Sequence, residues 1–166
     1  YDYTQSNGST DTDERVVHLR HNYRLGDHVA TLAFAQAAHN KFQDLERREL
    51  LGAGLRLDVH RDQASVLALG ASAMLENERR TDESTSDTVR LSMFLDFRRE
   101  LKEYLHFIVV GWYQPDTRDF TDLRSSVLAD LEVDLAGPLR LVISGAWQHD
   151  SRPPGDIKPT DWSLRT

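Results

Sequence analysis

Apolar and polar side chains alternate with a period of two through every long segment of this chain. Val127, Ala129, Leu131, Val133 and Leu135 interleave with Ser126, Asp130, Glu132 and Asp134. Val89, Leu91, Met93, Leu95 and Phe97 interleave in the same way with Arg90, Ser92, Asp96 and Arg98. Successive side chains of a β-strand point to opposite faces, so each segment builds a strand with one apolar and one polar face. The polar stripe carries charges of both signs, and two kinds of fold accommodate it. A soluble barrel or sandwich turns the apolar face inward, whereas a membrane barrel turns it to lipid and keeps the charges in its lumen.

The pattern predicts about ten strands, near residues 1–6, 14–25, 28–42, 47–60, 64–77, 88–100, 104–115, 121–136, 139–150 and 160–166. Residues 42–52 have helical propensity, yet Leu51, Ala53, Leu55, Leu57 and Val59 keep the two-residue period. Most segments reach the ~9–11 residues that a tilted strand needs to cross a bilayer. Tight turns are expected at Leu25-Gly26-Asp27-His28, Arg61-Asp62-Gln63, Leu101-Lys102-Glu103 and Ala136-Gly137-Pro138. Longer polar links are expected at 6–13, 43–47, 79–87, 115–121 and 151–160. Short and long connections take turns, which puts all the short turns at one end of an up-and-down sheet and the long loops at the other. Outer-membrane barrels have that arrangement, and so do soluble barrels with one open end.

At 166 residues the chain is long enough for one domain, and no linker or internal repeat divides it. A net charge of −7 and a pI near 5.4 oppose a nucleic-acid partner held by phosphate contacts. Cysteine is absent, so no disulfide framework or thiolate chemistry is available. No run of ~18 apolar residues marks a membrane helix, a test that does not detect barrel strands.

Under the membrane alternative, the charges expected to line the lumen are Arg20, Arg24, Arg56, Asp58, Arg90, Asp96, Arg98, Asp130, Glu132, Asp134 and Arg140. Buried there, they need opposite partners across the lumen. Under the soluble alternative the same side chains form a solvated outer face. Aromatic residues gather near both strand ends: Tyr23, Phe97 and Tyr104 at the short turns, and Phe42, Trp112, Tyr113, Phe120, Trp147 and Trp162 at the long loops. From these we take Tyr23, Phe97, Tyr104, Tyr113, Trp147 and Trp162 as a candidate pair of interfacial girdles, because amphipathic rings favour the headgroup level.

Several loop signatures resemble a known family. They are Gly8-Ser9-Thr10-Asp11-Thr12, Gly70-Ala71-Ser72-Ala73 running into Glu76, and Tyr113-Gln114-Pro115-Asp116 followed by Asp122-Leu123-Arg124. Asp150-Ser151-Arg152-Pro153-Pro154 leading to Thr160-Asp161 completes the set. Together they resemble domain-of-unknown-function family 481, the salt-inducible outer-membrane proteins of Gram-negative bacteria. The chain departs from the family pattern at Asn7-Gly8, where Gly-Asn is usual, and lacks a terminal aromatic strand end after Thr166. The second departure implies a last strand cut short. The resemblance implies a barrel in the bacterial outer membrane and no established activity.

Candidate catalytic and metal sets are sparse. His18 and His21 lie three apart and point to opposite faces of a strand, so neither they nor His106 make a metal pair. Ser144 with His149 and Asp150, or Ser92 with His106, make a Ser–His–acid set only if the fold brings them together. Gly145-Ala146-Trp147 matches the Gly-x-Trp of lipocalins, but in the ninth expected strand instead of the first.

The expectation is therefore a single all-β domain over 1–166: an antiparallel, up-and-down transmembrane β-barrel of about ten strands. Its function would be non-enzymatic, as a structural barrel or a narrow restrictive pore. No cofactor or metal is called for. Expected partners are outer-membrane lipid and, through the long loops, other envelope proteins. The competing readings are a soluble lipocalin-like barrel binding a small apolar ligand, and an outer-membrane lipid hydrolase or acyltransferase.

Overall fold

The computed structural model describes residues 5–6, 9–10, 14–40, 45–80, 84–153 and 158–166. Every regular element among them is a strand. A two-stranded hairpin pairs β1 (Gln5–Ser6) with β2 (Ser9–Thr10). One nine-stranded sheet contains β3 (Glu14–Arg24), β4 (Val29–Asn40), β5 (Leu45–Arg61), β6 (Ser65–Arg80), β7 (Thr85–Lys102), β8 (Leu105–Pro115), β9 (Leu123–Asp134), β10 (Arg140–Asp150) and β11 (Thr160–Arg165). Each strand pairs antiparallel with its sequence neighbours, giving an up-and-down order. The described residues contain no helix that is long and apolar enough to cross a membrane.

The two-residue period locates these strands well, and the differences from expectation lie at their ends. The described part of the first expected strand, Gln5–Ser6, does not join the sheet. It pairs locally, Ser6 opposite Ser9, while residues 1–4 lie outside the described residues. Among the described residues the sheet therefore has nine strands. β5 begins at Leu45 and β6 runs to Arg80, so two of the expected long links are largely strand. Long connections remain at 116–122 and 151–159. Phe42, expected near a loop end, falls outside the described residues.

Among the described residues, the sheet edges β3 and β11 each carry a single ladder, and both strands run in the same direction. The sheet is strongly curled. Arg20 on β3 places its guanidinium carbon 5.2 Å from the ring centre of Phe94 on β7. In a flat sheet, strands four apart lie about 19 Å from one another. The register is also staggered. One cross-strand row runs Tyr23–Thr31–Leu55–Ala71–Met93–Tyr113–Ser125–His149. It thus joins the turn end of β3 to the loop end of β10. Curl with stagger is the geometry that closing a sheet into a barrel requires.

Candidate functional site in the charged interior

Pleating sorts side chains by parity, and the even-numbered ones of β3 to β10 share the concave face. This face holds the best-buried groups of the protein, and most of them are polar. Arg90 is 3% exposed, Glu76 4%, and Asp58, Asp96 and Glu78 are each 7%. The buried apolar side chains among the described residues are few: Leu32, Leu50, Ala68, Met74 and, at the end of β8, Pro115. The convex face is the reverse: Leu19, Leu51, Leu55, Leu75, Val127, Leu141 and Trp162 are all exposed.

Three ionic clusters fill the concavity. At the loop end Glu76 accepts from Arg90 Nε at 2.7 Å, from Arg48 Nε at 2.7 Å, and from Arg124 Nη1. Arg124 reaches from β9 to β6, and it also donates to Glu78 at 3.0 Å and Asp150 at 2.9 Å. Arg90 further donates to the carbonyls of Gln114 and Asp122, and its Nη2 lies 2.8 Å from Asp122 Oδ1 without hydrogen-bond alignment. Thr117 donates from N and from Oγ1 to the Val89 carbonyl, so loop 116–122 is tied to β7.

Deeper in the concavity, Asp58 accepts from Arg56 at 2.9 Å, from Arg61 at 2.8 and 3.0 Å, and from Arg24 at 3.5 Å. A register shift between Asp58 and His60 turns Arg61 back onto the inner face. Arg56 bridges to Asp96, which also accepts from Arg98. At the short-turn end Arg140 donates to Asp134 at 2.5 Å and to Glu132 at 2.8 Å, and His106 Nε2 lies 3.3 Å from Asp134. Asp130 Oδ1 is buried with no hydrogen-bond partner among the described residues.

All eleven charges picked from the alternation therefore lie on this face. The sequence reading missed Arg48, Glu76, Glu78 and Arg124, which form the most buried cluster. Their parity is visible in the sequence, but expected strands over 47–60 and 64–77 put Arg48 and Glu76 at strand ends and leave Glu78 outside. Among the girdle candidates, Tyr23, Tyr104, Tyr113, Trp147 and Trp162 are exposed. Phe97 is half-buried, edge-to-face with Phe107 at 6.4 Å. Trp112, by its parity, faces the concave side.

The catalytic sets are not assembled. Ser144 and Asp150 have inner parity, whereas His149 is on the outer face, stacked on Trp147 and bonded to Thr160 Oγ1 at 2.9 Å. Ser92 Oγ accepts from Gln114, while His106 pairs with Asp134 near the opposite strand end. His18 bonds Gln36 and His21 faces the other way. No cluster of three His, Asp or Glu able to hold a metal occurs among the described residues.

Two loop carboxylates are strongly perturbed. Asp119 accepts from the Thr121 hydroxyl and amide and from Arg152, which pushes its pKa down to about 2. Asp62, at the opposite end, accepts from the amides of Ala64 and Ser65 and from His60, and is likewise pushed down to about 2.

The model of a protein family described as "Protein of unknown function, DUF481" matches residues 1–166. The chain belongs to the DUF481 family. No curated protein and no solved structure matches this DUF481 chain.

Proposed function

We propose that this DUF481 chain is a non-enzymatic β-barrel of the Gram-negative outer membrane, built as a structural barrel or a narrow restrictive pore. The observation that carries the reading is the inverted burial. Arg90 and Glu76 are nearly inaccessible, while Leu19 is 69% and Leu51 60% exposed on the opposite face. In water, so continuous an apolar surface is a strong liability; facing lipid, it is the favourable side. Curl and stagger support closure. Because β3 and β11 run in the same direction, direct closure makes a parallel seam, and closure through one further strand keeps every ladder antiparallel.

A narrow lumen follows from what fills the concavity. Arg124 reaches Glu76 across two strands, Arg56 reaches Asp96 across one, and Phe34 and Phe94 lie between the loop-end and deeper clusters. A lipocalin-like ligand cavity would need apolar walls where these ion pairs stand. The loops 116–122 and 151–159 remain available for envelope partners.

The test is partitioning. The protein should require detergent for extraction and migrate differently on a gel before and after boiling. A chain that is soluble and monomeric without detergent would refute the proposal.

A further inference from the structure

Two neighbouring cross-strand rows on the convex face enclose a furrow of about 650 Å³ that runs from β3 to β7. Its lower wall is the row Leu19–Ala35–Leu51–Leu75–Val89. Ala35 lowers the floor between two protruding leucines. One row toward the loops the wall stays apolar at Val17 and Ala37 and turns polar at Glu49, Asn77 and Asp87. From β5 to β7, toward Arg118, the furrow therefore follows the line at which the outer face changes from apolar to polar.

Arg118 closes the β7 end of this furrow. Its backbone is fixed: Arg118 N donates to Asp116 Oδ1 at 2.8 Å, and the preceding Thr117 is tied twice to Val89. No described carboxylate pairs with its guanidinium. The acids of the furrow are engaged elsewhere, Glu49 with Arg47 and Asp87 with Asn77 Nδ2 at 2.7 Å. A positioned cation with no counter-ion among the described residues thus stands beside an apolar trough.

We infer that the furrow seats an acyl chain of a phospholipid whose phosphate is held by Arg118. The inference rests on the outer face meeting lipid, as proposed above. A guanidinium offers a phosphate charge-assisted, bidentate hydrogen bonds. The acyl chain gains contact with Leu51, Leu75 and Val89. A free phosphate would have no use for the trough, and an uncharged lipid none for the arginine.

Native mass spectrometry of the full chain, in detergent micelles doped with phosphatidylglycerol or phosphatidylethanolamine, tests this directly. One phospholipid should stay bound after the micelle is stripped, while diacylglycerol and inorganic phosphate should not. Arg118→Ala should lower the retained fraction about five-fold, the factor carried by one interfacial basic side chain. Leu51→Trp should lower it by obstructing the trough. The gel shift on boiling confirms that each variant is folded. Equal retention by wild type and Arg118→Ala, or equal retention of diacylglycerol, overturns the inference and leaves the barrel reading intact. A chain that never needs detergent overturns the barrel reading instead.

Discussion

The ring of Phe94 lies on Gly70, its cross-strand partner, so closely that a Cβ at Gly70 would fall 2.0 Å from ring atom Cε1. Phe34 covers Gly52 in the same way from β4. Glycine is needed at both places because the ring occupies the space of a side chain, an aromatic cover over a bare stretch of sheet. Gly70→Ala should swing the Phe94 ring away from the wall and from Arg20. The expected cost is about 1–3 kcal/mol, as for other overpacked sites. Urea unfolding of the single variants and of Gly70→Ala/Phe94→Ala would measure it. The double variant should lose less than the sum, since the two side chains are in contact.

Glu76 is the node of the loop-end cluster, with three arginines on one carboxylate. Glu76→Ala leaves Arg90 buried beside a missing counter-ion. Breaking a buried pair by removing one partner costs about 3–5 kcal/mol. Glu49→Ala removes only the exposed pair with Arg47 and should cost under about 1 kcal/mol. Unfolding midpoints that shift equally in the two variants would show that the interior is solvated and the network weak.

Loop 116–122 should loosen in acid. Asp119 has a folded pKa of about 2 against an ordinary 3.8, lowered first by the bonds from Thr121 and then by that from Arg152. A depressed carboxylate pKa contributes stability that is fully present above the unfolded value. That contribution fades as pH falls from 3.8 through about 2. The amide resonance of Thr121 should titrate with a midpoint near 2 in the wild type and not at all in Asp119→Asn. A midpoint at the ordinary carboxylate value would mean that the loop is not held by these bonds.

Much of this was legible in the residues because parity is a local property. Val127 to Leu135 announces a two-faced strand without reference to anything distant, and so do Arg90 and Asp96. The strand ends were not legible. Arg48 stands at the very start of an expected strand and Glu78 just past the end of another, and the ladders that pair them with each other and with β4 and β7 hold both well inside strands. Pairing across the concavity was legible only in sign. That Arg124 meets Glu76 depends on curl and register, which the sequence of either strand alone does not contain. Nor did residues 1–6 show that their described part would pair with Ser9–Thr10 instead of the sheet.

The filled concavity should not conduct freely. Planar-bilayer recordings of the wild type should show no resolved unitary steps, because cross-strand ion pairs and the Phe34 and Phe94 rings occupy the interior. Ten or fewer strands leave a lumen that side chains nearly fill. An Arg20→Ala/Phe34→Ala/Phe94→Ala variant should conduct, since it removes the rings and the guanidinium stacked on one of them. Steps in the wild type that change ion selectivity in Asp130→Ala/Glu132→Ala would establish the restrictive-pore version over the purely structural one.

Leu55 offers the sharpest division between lipid and water outside the sheet. It lies near the middle of β5, is 54% exposed, and stands in register with Thr31 and Ala71 on the convex face. If that face meets hydrocarbon, Leu55→Arg should destabilise the protein by about 2–4 kcal/mol, the cost of a basic side chain near the bilayer midplane. If it meets water, an exposed leucine replaced by arginine should change stability by under about 0.5 kcal/mol. Asn77→Arg, on the polar row toward the loops, is the control and should be nearly neutral in either case. Equilibrium unfolding from vesicles reads both variants. A large loss at Leu55 with none at Asn77 follows only if the charged concave face is the inside of a barrel and the leucines are its outside.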